Sequence, residues 1–373
     1  MTDAILPVAI IGGGPVGLAA AAHLLARGET PLVLEAGPAV GHTVRQWAHV
    51  AMFSPWSLMT DKAAVGLLAA SGWQQPPRDA IPTGGELVAR YLEPLAALPT
   101  MRPHIRLGAR VVAVTRKGLD KVKTAGRAAR PFALRVETAD GRQETIEAKA
   151  VIDASGTWLS PNPAGSDGLP AGGEAAAADD IFYGIPDVLG RHRHLYADKT
   201  VMVIGSGHSA LNALIELGHL RNEAPRTSIV WALRKPKIDA AFGGEAADAL
   251  PARGALGMQA RQLVASGAVR VVSPFHVCAI TPRRDGTFAV TAEDGAEIVV
   301  DRVIVATGFR PDFAFLREIR LTLDPWLESS GEIGPLIDPN LHSCGTVRPH
   351  GAKELAHAEP GFFIAGIDRK SVV

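Results

Sequence analysis

The sequence predicts an α/β fold built from two parallel-sheet units with helices on their faces. The first observation is a pair of glycine-rich turns, Ile10-Ile-Gly-Gly-Gly-Pro-Val-Gly17 and Val203-Ile-Gly-Ser-Gly-His-Ser-Ala210. The second is that each turn follows a short β-branched run and opens a helix, which is the order of elements in a Rossmann-like unit. The third is a difference, because the next predicted strand ends in Glu35 in the first unit and in Arg234-Lys235 in the second.

Length and composition narrow the classes of protein to consider. The 373 residues are enough for two or three domains, and Lys+Arg and Asp+Glu are balanced at 38 each. No charge excess favours a nucleic acid or an anionic membrane, so we expect a small-molecule substrate. Two cysteines, no basic leader and no apolar run of about 18 residues predict a cytoplasmic protein without a membrane segment.

The first turn has the pattern G-x-G-x-x-G at Gly12, Gly14 and Gly17. These glycines allow a tight turn, close approach of the backbone to a diphosphate, and close packing of a helix predicted from Pro15 to Ala26. Glu35 follows the first glycine by 35 − 12 = 23 residues, near the spacing of about 20 expected for a ribose-binding carboxylate. Its charge disfavours a 2′-phosphate at this site.

The second turn has the related pattern G-x-G-x-x-A and is followed by a helix predicted from His208 to about Leu220. Two cations, Arg234 and Lys235, stand where the first unit has its acid. A guanidinium binds phosphate through two parallel hydrogen bonds, so this unit favours NADPH, with NADH as the alternative if the cations are only a solvated strand end. The candidate nucleotide-binding residues of this unit are Gly205, Ser206, Gly207, Ser209, Arg234 and Lys235.

The charge difference predicts FAD in the first unit and NADPH in the second. The two cofactors together imply hydride transfer from nicotinamide to flavin, with the protein orienting the rings.

At this level of detail the chain resembles the flavoproteins with two dinucleotide-binding domains, in the pyridine nucleotide-disulfide oxidoreductase superfamily, and especially the flavin-containing and class B monooxygenases. The resemblance rests on the order of the turns and on Ala150-Val-Ile-Asp-Ala-Ser-Gly-Thr157 and Val303-Ile-Val-Ala-Thr-Gly-Phe-Arg-Pro-Asp312. It implies an NADPH domain inserted into an FAD domain. The expected boundaries are 1–165 for the first FAD segment, 166–300 for the NADPH domain and 301–373 for the second FAD segment.

The resemblance also implies residues on the flavin side of the site. Gly41 to Trp47 falls where the family has a flavin-contacting loop, and Trp47 is a cofactor-binding candidate. Asp61 is the candidate catalytic residue, as a polar group near the flavin or nicotinamide. For Trp47 and Trp56, packing in the core is an equal alternative.

Two departures from the family bear on its chemistry. The monooxygenase fingerprint F-x-G-x-x-x-H begins at Phe182-Tyr-Gly184 but has Val188 in place of the histidine, and the later His192 and His194 favour a solvated basic loop. Cys278 and Cys344 are far apart, which disfavours the paired-cysteine chemistry of disulfide reductases. We therefore expect a monooxygenase-like enzyme that passes electrons to oxygen and a small substrate, with a flavin-dependent reductase or a non-catalytic redox sensor as alternatives.

The C-terminal segment departs as well. Glu359-Pro-Gly-Phe-Phe-Ile-Ala-Gly-Ile-Asp368 resembles the strand and turn with which the family returns to FAD, and the resemblance implies that Asp368 meets the ribityl chain. Five residues follow it, so we expect this domain to lack the usual terminal helix. FAD would then be held weakly, or a second copy of the chain in a homodimer would supply the contact.

Between the motifs, the patterns predict a helix from Glu86 to about Glu93 and antiparallel excursions at 105–151 and 269–300. The glycine-rich stretch 242–257 reads as a mobile lid or as a plain connector. His342, Cys344, His350 and His357 match no common zinc spacing, so we expect no metal and an ordered loop without a ligand role.

Overall fold

A computed structural model describes residues 5–248, 250–337 and 350–366. The chain divides into two compact units. The first comprises Met1–Ala48, Pro55–Ser160 and Arg310–Val373, and the second comprises His49–Ser54 and Pro161–Phe309. Both units are therefore discontinuous in sequence, and the larger segment of the second lies between two segments of the first.

The strands, numbered along the chain, are β1 (Val8–Ile11), β2 (Pro31–Leu34), β3 (Ile105–Arg106), β4 (Ala109–Arg116), β5 (Phe132–Thr138), β6 (Gln143–Ala148), β7 (Ala150–Asp153), β8 (Ile181–Tyr183), β9 (Thr200–Ile204), β10 (Ser228–Ala232), β11 (Val269–Val272), β12 (Val277–Pro282), β13 (Phe288–Ala292), β14 (Glu297–Val300), β15 (Arg302–Val305), β16 (Leu323–Asp324), β17 (Ser329–Ser330) and β18 (Phe362–Ile364). The α-helices are α1 (Pro15–Leu25), α2 (His42–Gln46), α3 (Trp56–Met59), α4 (Lys62–Ala69), α5 (Gly84–Leu87), α6 (Glu93–Ala97), α7 (Arg193–Tyr196), α8 (His208–Glu223), α9 (Pro251–Ala265), α10 (Gly334–Ile337) and α11 (Ala352–Leu355).

The first unit is organised around a parallel sheet of order β18-β7-β1-β2-β3. The strand β1 is central, and all four of its residues are buried. One face of the sheet packs with α1 and the helices α4 to α6, and the other packs against the antiparallel sheet β4-β5-β6. Because β1 lies between β2 and β7, the strand order reverses beside it, where a parallel sheet opens a ligand crevice at its carboxyl edge.

The second unit repeats this plan with a parallel sheet of order β11-β10-β9-β15-β8. The strand β9 is central, and α8 packs on one face through an apolar side that includes Leu214 and Leu217, both buried. The antiparallel sheet β12-β13-β14 covers the other face. The prediction of an α/β fold with two Rossmann-like units and small antiparallel excursions is confirmed.

The helix predicted from Glu86 starts two residues earlier. Thr83 caps α5 and forms a capping box with Glu86, so Gly84 and Gly85 are helical. The helix then continues through a π turn at Val88–Leu92 into α6. Pro94 has no N–H to donate to the preceding turn, and the carbonyl of Arg90 instead accepts a hydrogen bond of 2.8 Å from Trp73 Nε1.

The excursion predicted at 269–300 is shorter than expected. Val269–Val272 forms β11, which pairs in parallel with β10, and only β12 to β14 are antiparallel. The stretch 242–257, predicted as a mobile lid or a plain connector, contains a 3-10 turn at Glu245–Ala247 and the start of α9, and its role as a lid remains a prediction. Gly254 and Gly257 let this helix approach the carbonyls of Glu245 and Phe242, where a Cβ would come within 2.0 and 1.9 Å of the oxygens.

A buried ionic group closes the first unit. The Glu359 carboxylate, which is fully buried, accepts hydrogen bonds from Arg116 Nε at 2.8 Å and from Arg127 Nη2 at 2.7 Å. Burial alone would raise the pKa of Glu359. The hydrogen bonds from Arg127 and Arg116 outweigh this effect and hold the pKa below its ordinary value. This group fixes the start of the segment that forms β18.

Candidate functional site

The first glycine-rich turn is shaped by contacts that exclude side chains. Gly12 has φ +103°, and a Cβ there would lie 2.5 Å from the carbonyl oxygen of Ala154. A Cβ on Gly17 would lie 2.0 Å from the oxygen of Gly12, so the helix α1 packs directly on the turn. Gly14, by contrast, faces open space, with no atom of the described residues within 4 Å of a Cβ. The turn therefore presents bare backbone and the N-terminus of α1 toward an open cradle.

Glu35 stands over this turn. Its Oε2 accepts a hydrogen bond of 2.7 Å from Gly13 N, and its Oε1 accepts one of 2.7 Å from Gly37 N. The residue is 8% exposed, and each oxygen retains a further lone pair for a ligand hydroxyl. Its carboxylate is thus held in place by backbone and aimed by the fold.

The second turn has the same construction. Gly205 has φ +131°, and a Cβ there would lie 2.3 Å from the oxygen of Ala306. Gly207 faces open space, as Gly14 does, and the buried Ala210 stands where the first unit has Gly17. Ser206 is exposed and Ser209 is partly buried at the start of α8.

Arg234 and Lys235 follow β10 and are both exposed. Arg234 Nη1 donates a hydrogen bond of 2.8 Å to the carbonyl of Ser166, which leaves the other guanidinium N–H groups for a ligand. Ser273 Oγ donates to the carbonyl of Lys235 and fixes the backbone there. The second strand of this unit thus ends in positive charge.

His208 is an addition that the sequence did not single out. It opens α8 directly after Gly207, and its ring lies 5.2 Å from that of Phe53. Burial lowers the pKa of His208, nearby Arg253 lowers it further, and Asp248 opposes both. The imidazole at this turn is therefore neutral at pH 7.

Asp61 serves local structure. It caps α4, with Oδ1 accepting from Ala63 N at 2.8 Å and Ala64 N at 3.1 Å, while Oδ2 lies 2.8 Å from His23 Nε2. Burial raises the pKa of Asp61, but the hydrogen bonds from Ala64 and His23 outweigh it and leave the pKa lowered. These contacts account for the residue as a helix cap, and its catalytic role remains a prediction.

The tryptophans divide between core and edge. Trp56 is 1% exposed and belongs to the core of the first unit. Trp47 is partly buried, its ring covers Gly84, and its centroid lies 6.1 Å from that of Trp158. Trp158 Nε1 donates to Gln46 Oε1 at 2.8 Å, so the two rings form a fixed aromatic pair.

The fingerprint segment differs from the expected solvated loop. Val188 is fully buried, and no imidazole occupies its position. His194 is exposed, but His192 packs on Phe182 with ring centroids 5.1 Å apart, and its Nδ1 accepts a hydrogen bond of 3.0 Å from Asp187 N. His192 is therefore part of the packing of the second unit.

Several predicted features lie beyond the described residues, namely Asp368, His342 and Cys344. His357 is described, and burial lowers its pKa while its ring packs on Phe362. Among the residues that the structure covers, no three His, Cys, Asp or Glu side chains are grouped to hold a metal ion. In the same residues, no helix has the length and apolar character needed to cross a bilayer.

The residues that support the two turns were also not predicted from the sequence. The carbonyls of Ala154 and Ala306 pack against Gly12 and Gly205, so the Ala-Ser-Gly and Ala-Thr-Gly strings serve equivalent purposes. Asp153, the last residue of β7, is 1% exposed although its strand is otherwise apolar. An acid inside a buried strand was the signal available in the sequence.

Two turns of this construction, each on its own parallel sheet, give the chain two Rossmann-like units. The chain belongs to the pyridine nucleotide-disulphide oxidoreductase family, whose sequence profile matches residues 9–330. This match confirms the resemblance and supports the assignment of the protein as a flavin-dependent oxidoreductase.

Solved structures agree on the fold. Bacillithiol disulfide reductase from Bacillus cereus is 22% identical with a TM-score of 0.67, over 98% of this chain and 92% of its own. A flavin-containing monooxygenase from Stenotrophomonas maltophilia is 24% identical with a TM-score of 0.55, over 97% and 90%.

A curated relative is the monooxygenase cfoE from Aspergillus candidus. It is 28% identical over 234 residues, which is 60% of this chain. The match spans 35% of the length of the fungal protein.

Proposed function

We propose that the protein is an FAD-dependent NADPH oxidoreductase of monooxygenase-like type. The observation that carries the proposal is a difference between two equivalent units. The strand after the first turn and helix is followed by the acid Glu35, whereas the corresponding strand of the second unit is followed by the cations Arg234 and Lys235. Family membership supplies the oxidoreductase class.

The first turn suits FAD. Gly14 leaves space for a diphosphate above the backbone, and α1 directs its unpaired N–H groups there. Glu35 would accept the ribose hydroxyls, and its charge would repel a 2′-phosphate at the same place. Trp47 and Trp158 form the aromatic edge of the unit.

The second turn suits NADPH. Gly207 leaves the corresponding space, and Ser206 and Ser209 flank it. Arg234 and Lys235 would bind the 2′-phosphate, since both are exposed and positively charged. Bound together, the two cofactors supply hydride transfer from nicotinamide to flavin, and the protein orients them.

The oxygen-using form of the reaction draws support from the similarity to the fungal monooxygenase. The alternative is a flavin-dependent reductase that does not use oxygen. The buried Val188, at the place of the fingerprint histidine, favours this alternative. Cys278, the cysteine within the described residues, is exposed on β12 and hydrogen-bonds to Thr291, so it offers no paired thiol for disulfide reduction there.

One series of measurements on the purified protein tests these proposals. The protein should carry FAD or take it up, and anaerobic NADPH should bleach its absorbance faster than NADH. Readmitted oxygen should then give a long-lived oxygenated flavin spectrum if the enzyme is a monooxygenase. Immediate return of the oxidised spectrum would favour the reductase, and failure to take up FAD would contradict both.

We further propose a small-molecule substrate and a cytoplasmic location. A homodimer that completes the flavin site is a related proposal. Sedimentation of the flavin-loaded protein tests it, and a monomer with tight FAD would contradict it.

A further inference from the structure

Asp153 places a carboxyl group between apolar residues of the neighbouring strands. It ends β7, between Ile11 of β1 and Ile364 of β18, which are its register partners. The residue is 1% exposed. Its Oδ1 accepts a hydrogen bond of 3.0 Å from Ser155 N, whereas Oδ2 is buried and has no hydrogen-bond partner among the described residues.

The second unit shows that the fold does not need this carboxyl. Val305 ends β15 beside β9, as Asp153 ends β7 beside β1. Each is followed by an alanine whose carbonyl packs against the first glycine of a turn. Val305 is 2% exposed and belongs to the apolar core. An acid at the equivalent place in the first unit therefore calls for a reason beyond packing.

The position of Asp153 connects it to the first turn. Ala154 N donates a hydrogen bond of 2.9 Å to Ile11 O, and the Ala154 carbonyl faces Gly12. On the other side, Ala365 N donates to the carbonyl of Asp153 at 2.8 Å. The carboxyl is thus built into the strand that supports the turn for the diphosphate.

We propose that Asp153 is a positioning residue whose protonation permits dinucleotide binding at the first turn and whose ionisation opposes it. The inference rests on the proposed function, because it takes FAD as the ligand. A carboxylate inside the supporting strand would repel the diphosphate through a medium of low dielectric constant, whereas a neutral carboxyl would not.

The surroundings make this titration accessible near neutral pH. Burial raises the pKa of Asp153 to about 6, the Ser155 hydrogen bond opposes the rise, and the charge of Asp312 adds to it. The flanking strands β1 and β18 contain no titratable residue, and among the described residues Glu35 is a second carboxylate beside this turn. Bound diphosphate would raise the pKa further, so the complex would hold a proton that the free protein loses as the pH increases.

The test compares FAD affinity from pH 5.5 to 8 in the flavin-free protein, followed by quenching of flavin fluorescence. The wild-type affinity should fall by about 10-fold or more over this range, the effect of a one-unit rise in pKa on binding. Asp153→Asn keeps the shape and the Ser155 acceptor but stays neutral, so its affinity should be flat with pH and higher than wild type at pH 8. Asp140→Asn, on an exposed turn of the same unit, is the matched control and should follow wild type.

The outcomes separate the inference from the proposed function. Equal pH slopes in wild type and Asp153→Asn would overturn the inference and leave FAD binding intact. Weaker binding by Asp153→Asn at every pH would also overturn it, since that result assigns the residue a purely structural role. A protein that binds no FAD at any pH would overturn the proposed function together with the inference. Asp153→Val, which copies the second unit, should also bind without pH dependence.

Discussion

The two glycine-rich turns share a backbone frame and differ in the side chains that face their openings. In both, a glycine with positive φ meets an alanine carbonyl, and a second glycine leaves open space. Between those glycines, however, the first turn has Gly13 and the second has Ser206. A Cβ on Gly13 would lie 3.0 Å from Glu35 Oε2, so a side chain there would crowd the acid. The frame fits the dinucleotide proposed for each turn, and the proposed choice between FAD and NADPH rests on the charge at the end of the neighbouring strand.

The largest expected effect on nucleotide affinity comes from substituting the first glycine of one turn while the other turn is left intact. Gly12→Val should lower flavin affinity by at least ~100-fold, the size of about 3 kcal/mol of backbone strain and collision with Ala154. NADPH affinity should change little, because the second turn keeps its own supports. Gly205→Val should do the reverse. Isothermal titration with each nucleotide measures both.

The control for this pair is Gly28→Ala. Gly28 has φ +74° but faces open space, so a side chain there would strain the backbone without disturbing either glycine-rich turn. Its nucleotide affinities should match those of wild type. If Gly12→Val and Gly205→Val each abolish binding of both nucleotides, the assignment of one nucleotide to each turn is wrong.

The next effect concerns stability and sharpens the contrast between Asp153 and Val305. A folded-state pKa of about 6, against 3.8 for the ordinary group, means that folding favours the protonated acid. Stability is therefore lost as the pH rises through this window, and at pH 8 the penalty is up to about 3 kcal/mol. Asp153→Asn should raise the free energy of unfolding at pH 8 by up to that amount and change it little at pH 4. Urea unfolding at both pH values checks this, and an equal change at both would contradict it.

A smaller effect should come from the charged end of the second unit. Arg234→Ala should weaken NADPH by about 10- to 100-fold, the value of a charge-assisted phosphate contact, and leave NADH nearly unchanged. Stopped-flow reduction of the flavin by each nucleotide measures the ratio. Arg142→Ala removes the same charge from an exposed turn of the first unit and serves as the control. Equal losses for NADPH and NADH would reject the phosphate role of Arg234.

The smallest effect is expected at Glu35. Glu35→Gln keeps one oxygen for Gly13 or Gly37 but loses the charge that strengthens the hydrogen bonds to backbone and ribose. FAD affinity should fall by about 10-fold. Equilibrium dialysis measures it, and Glu29→Gln, at an exposed ion pair with Lys149, should have no effect. Unchanged affinity in Glu35→Gln would show that the carboxylate only braces the turn.

What could be predicted from the sequence was the part encoded over short distances. The glycine spacing and the residues closing each second strand lie within one strand–helix–strand unit, so the fold and both turns could be predicted. The partners of the turns could not, because Gly12 meets Ala154 through strand pairing that has no local pattern. The prediction that Val269–Val272 belongs to an antiparallel excursion is wrong, because alternation does not distinguish a parallel edge strand from one strand of a hairpin. Which residues bind each nucleotide remains a prediction.

The discontinuity of the first unit has a consequence for the order in which the chain folds during synthesis. The sheet of this unit is completed by β18, and Glu359 must reach Arg116, 243 residues earlier in the chain. Residues 161–309 are all made before that segment leaves the ribosome. The inserted unit can therefore acquire its core while the surrounding one still waits for its last strand. Until then Arg116 and Arg127 lack the carboxylate that pairs them, and the surrounding unit depends on a late, long-range closure that is slow by its topology.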